Sequence, residues 1–454
     1  MDRRIALSRE WDGLVASVRE LGRARGIPEL AGFLQPPKAA LLAEAGGEGA
    51  VVVVNISRSR CDALLIADGR VRSLPLPGVT ADGVETRAVA YLVALSTLEQ
   101  AGWELQAALA EFEAGGRSPE VFFRVSGARA ALSAARTGAE EELAVLTAWL
   151  WDEICGPVLD ALGHTGEPVG AAPLPRLWWC PTGLLNLLPL HAAGHHGEPV
   201  GDRPRTVLDR VVSSYTPTVR ALLAARSRPG HGGGGAGRML FVAPEPAGLP
   251  VLESIADDRA ALAGRFGERL TRLEGPDATA TAVLTALRDH RWVHFSTHAG
   301  QDLDDPGLGA IALRDAALTV HDLAAGSYDG ELAFLSACQT AVGGIDLANE
   351  AITLCAALHV AGFRHVIGTL WSVQDRAAAA VTREFYAAAA GDAEEAGNTA
   401  TDAVSAPVPV SAPDPVPDFD ASAAARCLHR AVRALREHRP GQLTAWVPFI
   451  HIGP

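Results

Sequence analysis

The chain of 454 residues reads as an α/β protein with a largely parallel sheet. Three features of its second half predict this: apolar runs of strand length, amphipathic segments of helix length between them, and Gly or Pro at the switches. Strands separated by helical crossovers of about a dozen residues or more are placed parallel. In chain order, residues 1–34 read as short helices, because Ile5, Leu7, Trp11, Leu14, Val18 and Leu21 recur mostly at three- and four-residue steps. Residues 51–56 form a buried-strand run. Residues 62–76 read as strand, turn at Asp68-Gly69, and strand. Residues 86–112 and 138–163 carry apolar stripes with few breakers and read as helices. A strand at 176–180 is followed by the turn Pro181-Thr182-Gly183 and an apolar segment to His191. Strands at 239–242, 292–297, 331–337 and 365–370 then alternate with helices at 253–265, 278–290, 348–360 and 376–390. Residues 391–421, rich in Ala, Asp and Pro, read as a disordered or extended insertion. A helix at 423–438 and a late strand or extended edge at 446–450 close the chain.

Composition narrows the function. There are 39 basic and 53 acidic residues, a net charge of −14, whereas binding to a nucleic-acid backbone needs a basic face. Hydrophobic residues make up 48% and charged residues 20%, which is globular rather than disordered. At about 150 residues per domain the length allows two to three domains. No run reaches the roughly 18 apolar residues of a membrane helix, and the opening residues lack an apolar signal core. The six cysteines are scattered without a CxxC pair, which suits neither a disulfide framework nor a zinc knuckle. A cytoplasmic protein with no membrane or nucleic-acid partner is therefore expected. The tract 232–235 is four glycines without the Lys-Ser/Thr of a phosphate loop, so it is read as a flexible boundary. His191, His195 and His196 lie among Gly194 and Gly197 in a loop, and no metal is expected there.

One pair of segments carries chemistry. Trp292-Val-His-Phe-Ser-Thr-His298-Ala-Gly300 and Leu332-Ala-Phe-Leu-Ser-Ala-Cys338-Gln-Thr340 each end a buried strand in small residues and then present one reactive side chain. Ligands of open parallel sheets bind beyond the carboxyl ends of the strands. If the two strands are neighbours, His298 and Cys338 face one crevice. Imidazole supplies both the base and the electropositive setting a thiolate needs. Acyl transfer follows, with Cys338 as nucleophile and His298 passing the proton to the leaving amine. Backbone N–H groups of Ala299, Gly300 and Cys338 are the candidate oxyanion donors. Asp346, Glu350 and Asp375 follow the two motifs and are candidates for holding a basic side chain of the substrate. Glu350 has an equal reading as a charge complementing a helix N-terminus. Asp302, Asp304 and Asp305 read as a solvated acidic loop, and His294 as a packed core histidine.

These segments resemble the CHAT domain family of caspase-like and separase-like cysteine peptidases, which are often fused to TPR arrays. The resemblance rests on His294-Phe-Ser-Thr-His298, Leu335-Ser-Ala-Cys338-Gln-Thr-Ala341, Asn349-Glu350-Ala351, Ala361-Gly-Phe-Arg-His-Val-Ile-Gly-Thr-Leu-Trp371 through Asp375, and the closing 446–454. An upstream segment, Cys180 to Ala192, is also similar, so the likeness runs from about residue 45 to the end. It implies a caspase-type αβα sandwich, His298 and Cys338 as the dyad, and no metal or organic cofactor. It also implies protein or peptide substrates and a regulatory protein partner. The family usually has Gly directly after the catalytic His, where Ala299 stands here. The expected organisation is a helical segment 1–40, a degenerate protease-like half 41–225, a Gly-rich linker 226–237, and a catalytic half 238–454 broken by the insertion 391–421. The resulting reading is a cysteine endopeptidase. The alternative is a catalytically silent interaction module of the same fold.

Overall fold

Buried apolar runs become strands, and stretches with Ser or Thr caps become helices. The computed structural model describes residues 2–27, 30, 32–35, 39–115, 118–166, 173–198, 203–228, 237–246, 248–249, 251–302, 305–337, 340–341, 353–398 (391–398 as backbone) and 419–454. They fall into two units, Met1–Glu44 and Ala45–Pro454.

In the first unit, the short helices expected from the sequence are one helix, α1 (Asp2–Arg25). The sequence has Gly13 and Gly22 inside it, which invites a break, but each costs only about 1 kcal/mol against Ala. Arg19 Nε donates to the Phe33 carbonyl across the following turn at 2.7 Å. Ile5, Leu7, Trp11 and Leu14 remain exposed.

The second unit is built on one eleven-stranded sheet of order β3-β2-β1-β4-β5-β14-β13-β12-β8-β6-β7. Its first strands are β1 (Ala50–Asn55), β2 (Asp62–Ala67) and β3 (Arg70–Pro75). They form an antiparallel meander whose tight turn places Asp68 and Gly69 at φ 51° and 69°, a two-residue hairpin geometry. Parallel to β1 run β4 (Arg176–Pro181) and then β5 (Val212–Tyr215). The second parallel block contains β6 (Met239–Pro244), β7 (Leu270–Gly275), β8 (Trp292–Ser296), β12 (Leu332–Ser336) and β13 (His365–Thr369). Between them, β9 (Ala299–Gly300), β10 (Ala310–Ala312) and β11 (Ala317–Thr319) form a separate small antiparallel sheet. The last strand, β14 (Phe449–Ile452), is antiparallel to β13 and meets β5 where Ile452 lies beside Tyr215. The two halves therefore share a sheet, reinforced by Trp178 Nε1 donating to the Gly453 carbonyl at 2.8 Å.

Helices differ most from expectation. Two long ones, α2 (Ala81–Glu113) and α3 (Pro119–Leu150), pack on each other as a hairpin. The sequence predicts the second of these to begin only at 138. Residues 119–137 lack a continuous apolar stripe, yet Ser118 caps the helix and Pro119 opens it. Later come α4 (Ile255–Phe266), α5 (Asp375–Asn398) and α6 (Ala424–His438). α5 extends eight residues past 390 into the segment read as an insertion. At the far end, Phe419 packs on Trp292 and Phe266 and Ala421 is buried. What remains of the insertion, 399–418, lies outside the described residues, as does 229–236 of the Gly-rich tract. The expected helix at 278–290 is shorter, Ala280–Ala286, and that at 348–360 is described as Leu354–Ala361. Trp446 ends a short helix, and the last strand starts at Phe449.

Candidate active site

The site is organised by the pairing of β8 with β12. They are parallel neighbours in register, with Ser296 opposite Ser336, so the segments after both strands leave the same edge of the sheet. His298 follows β8 and is partly buried. Its carbonyl accepts from the Ala312 N–H at 2.8 Å, and Thr297 Oγ1 donates to the Ala312 carbonyl at 2.7 Å. Two bonds thus tie the histidine segment to β10. Ala299 and Gly300 form β9 and lie opposite Ile311 and Ala310. Among the described residues, nothing comes within 4 Å of a Cβ built on Gly300.

Cys338, Asp346 and Glu350 lie outside the described residues. The described residues flanking the cysteine are clamped to the end of β13. Thr369 Oγ1 donates to the Ala337 carbonyl at 2.7 Å, and Thr340 Oγ1 accepts the Thr369 N–H at 3.0 Å. The Ala341 N–H donates to the Thr369 carbonyl at 2.9 Å. Gly368 is required here, because a Cβ would press on Cys355 Sγ and sit 2.6 Å from Thr340 Oγ1.

Asp375 opens α5 beside the site. Its carboxylate accepts the Glu253 N–H at 2.9 Å. Burial raises its pKa, Glu253 and Asp258 raise it further, and the Glu253 N–H bond and the His298 charge pull it down. Asp375, a candidate substrate group from its motif, lies within the electrostatic reach of His298.

Against β8 lies a carboxylate with no motif to mark it. Asp258 on α4 is fully buried and accepts from Ser296 Oγ at 2.8 Å, with His294 Nε2 at 3.5 Å. His294 is a core residue, stacked on Phe334 with Nδ1 3.2 Å from the Tyr386 hydroxyl. Asp257-Asp258 at a helix start reads as dipole complementation. The missed signal was periodicity: Asp258 shares the buried face of α4 with Leu262 and Arg265.

The other candidates have structural roles. His191 is buried with Nδ1 2.9 Å from the Tyr215 hydroxyl and Nε2 2.8 Å from the Val447 carbonyl. His196 Nε2 contacts the Ala192 carbonyl and His195 Nε2 contacts Asp152. No group of three metal-binding side chains occurs among the described residues. Asp302 and Asp305 are exposed and cap their own loop, while Asp304 lies outside the described residues. Cys61, Cys155, Cys180, Cys355 and Cys427 are buried thiols. Burial pushes Cys180 up to about 11 and Cys355 to about 12, far from the thiolate a nucleophile requires. Among the described residues no helix is long and apolar enough to cross a membrane.

Comparison with known proteins agrees with this architecture. The CHAT domain model matches residues 144–454, beginning later than the likeness read from about residue 45. No curated protein matches the chain. Separase in the Saccharomyces cerevisiae separase–securin complex is similar in structure, with a TM-score of 0.51 at 10% identity over 91% of this chain. The chain spans 31% of that separase chain. The Arg-specific cysteine proteinase gingipain R overlaps 66% of this chain and 68% of its own at 11% identity, but its TM-score of 0.40 adds nothing to the fold argument. The mixed α/β architecture with its large, mostly parallel sheet is similar to the fold of that separase chain, and the chain belongs to the CHAT domain family.

Proposed function

We propose that the protein is a cysteine endopeptidase acting through His298 and Cys338. The observation that carries this reading is the register of β8 and β12. Ser296 faces Ser336, and in the sequence each reactive residue follows two positions later, which supports a shared edge for the pair. In the scheme, the Cys338 thiolate attacks the scissile carbonyl and a C–S bond forms. The C–N bond breaks as His298 delivers the proton to the leaving amine. Water, deprotonated by His298, then hydrolyses the thioester and returns the thiol. The oxyanion is held by backbone N–H groups of Ala299, Gly300 and Cys338. The scheme calls on no cofactor.

Asp375, together with Asp346 and Glu350, is assigned to a basic substrate side chain. The support is that Glu253 and Asp258 add negative charge around Asp375, which also feels His298. The separase chain similar in structure is in complex with securin, and regulation of this protein by a protein partner is proposed on the same footing. Buried, unbridged cysteines suit a reducing compartment, hence the cytoplasm. The organisation into a protease-like half, 41–225, and a catalytic half, 238–454, is retained as a proposal, with the two halves sharing one sheet.

Hydrolysis of Arg- and Glu-terminated fluorogenic peptides by wild type and Cys338→Ala tests the reading. Hydrolysis after Arg should fall roughly a thousandfold or more in the variant. Equal rates in both would leave the silent interaction module as the function.

A further inference from the structure

A second cleft lies away from the ends of β8 and β12. β5 stands three strand positions from β12 and four from β8 in the sheet, about 14 and 19 Å at the usual strand spacing of roughly 4.8 Å. Where α6 crosses the start of β5, the fold leaves a cleft of about 360 Å³. That volume falls within the roughly 300–1,000 Å³ of small-ligand sites.

The lining has two characters. Leu174, Val212 and Ala434 are apolar, whereas Arg426, Arg430 and Arg433 recur along α6 with His429 beside them. Steps of four and three place the three guanidinium groups on one helix face. They span about 10 Å of helix rise, more than a single phosphate group covers. One carboxylate of the rim, Glu437, also lines the cleft. Asp209 lies behind it, held by both terminal nitrogens of Arg436 and 3.8 Å from Arg433. The positive field extends inward: Arg426 acts on Arg176, whose Nε is buried without a hydrogen-bond partner among the described residues. His429 Nε2 is likewise buried without one. Burial and the nearby Arg433 hold His429 down at about 3, so its imidazole is neutral at pH 7. In a chain of net charge −14, three arginines of one helix face thus meet an apolar wall across this cleft.

We propose that this cleft binds a small ligand combining an oligophosphate with an apolar ring, the chemistry of a nucleoside triphosphate. The arginines take the phosphates by charge-assisted, forked hydrogen bonds, and Leu174 and Val212 cover the ring. Calorimetric titration of the full chain with ATP, tripolyphosphate, adenosine and a hexaglutamate peptide tests it, without added divalent cation. Saturable one-to-one ATP binding is expected, with tripolyphosphate and adenosine each weaker by about tenfold or more. Arg426→Gln with Arg430→Gln should weaken ATP by about tenfold or more and leave the thermal midpoint of the free protein unchanged, because both side chains are exposed. His298→Ala should bind ATP as wild type does. No saturable ATP binding, or equal affinity in the double variant, would overturn the proposal. Tripolyphosphate as tight as ATP would remove the ring from it, and hexaglutamate as tight as ATP would hand the cleft to acidic peptides; either result overturns it.

Discussion

Asp258 and Gly368 show how much the packing at the ends of β8 and β13 depends on single atoms. Asp258 offers a fully buried carboxylate to Ser296 Oγ and His294. Gly368 gives the space that Cys355 Sγ and Thr340 Oγ1 fill. Adding one methyl group at 368 pushes on both, and Gly368→Ala should cost about 1–3 kcal/mol, read as a lower midpoint in urea unfolding. A midpoint equal to wild type would mean that the clamp after β12 yields at no cost. Asp375 makes a pH-dependent prediction. Its pKa is raised in the folded state, so it favours the fold below its unfolded value of about 3.9 and that contribution is lost as pH rises through its native value. Asp375→Asn should therefore unfold at a slightly higher temperature than wild type at pH 7, with the gain gone near pH 3. A shift that is the same at both pH values would contradict this. His298 and Asp375 were legible because they follow motifs; Asp258 was not, because a carboxylate in a helix's first turn has an ordinary explanation.

The segments after β12 and β13 act together. Thr369 donates its hydroxyl to the Ala337 carbonyl and its N–H to Thr340 Oγ1, so β13 fixes the described residues on either side of Cys338. Thr369→Val keeps shape and deletes one buried donor. The unsatisfied Ala337 carbonyl should cost about 1–3 kcal/mol, and the Ala341 amide should exchange hydrogen faster by native-state mass spectrometry. Unchanged exchange there would show that the clamp is not what orders this loop. A second support comes from the helical hairpin: Tyr91 of α2 packs edge-on against Trp371 at 5.7 Å, and Glu99 accepts from Ser372 Oγ at 2.7 Å. The strands were legible from apolar runs such as 292–297 and 331–337, which fixed their ends to within a residue or two. Helix lengths were not. At 119–137 the signal lies in caps and propensity rather than a stripe, and at 391–398 the composition resembles a linker while the backbone stays helical.

Across the whole molecule, the parallel sheet was readable from the alternation of strands and helices, while its extent was not. Strand order is decided by pairings far apart in sequence, such as β14 inserting between β5 and β13, and no local pattern encodes them. The joint is sealed by Trp178 with Gly453 and by Ser214 Oγ 2.7 Å from His451 Nδ1. Residues 238–454 alone would expose the β14 edge and unpartner these groups. That fragment should therefore aggregate or unfold under conditions where 45–454 is folded by circular dichroism and gel filtration. A stable monomeric 238–454 would show instead that the halves are separable. The central claim is a thiolate at Cys338 raised by His298. An electrophilic peptide probe ending in Arg, followed by mass-spectrometric mapping of the adduct, tests it most directly. One adduct is expected, on Cys338, lost in His298→Ala and unaffected by Cys355→Ser. Labelling of another cysteine, or of Cys338 at the same rate without His298, would contradict it.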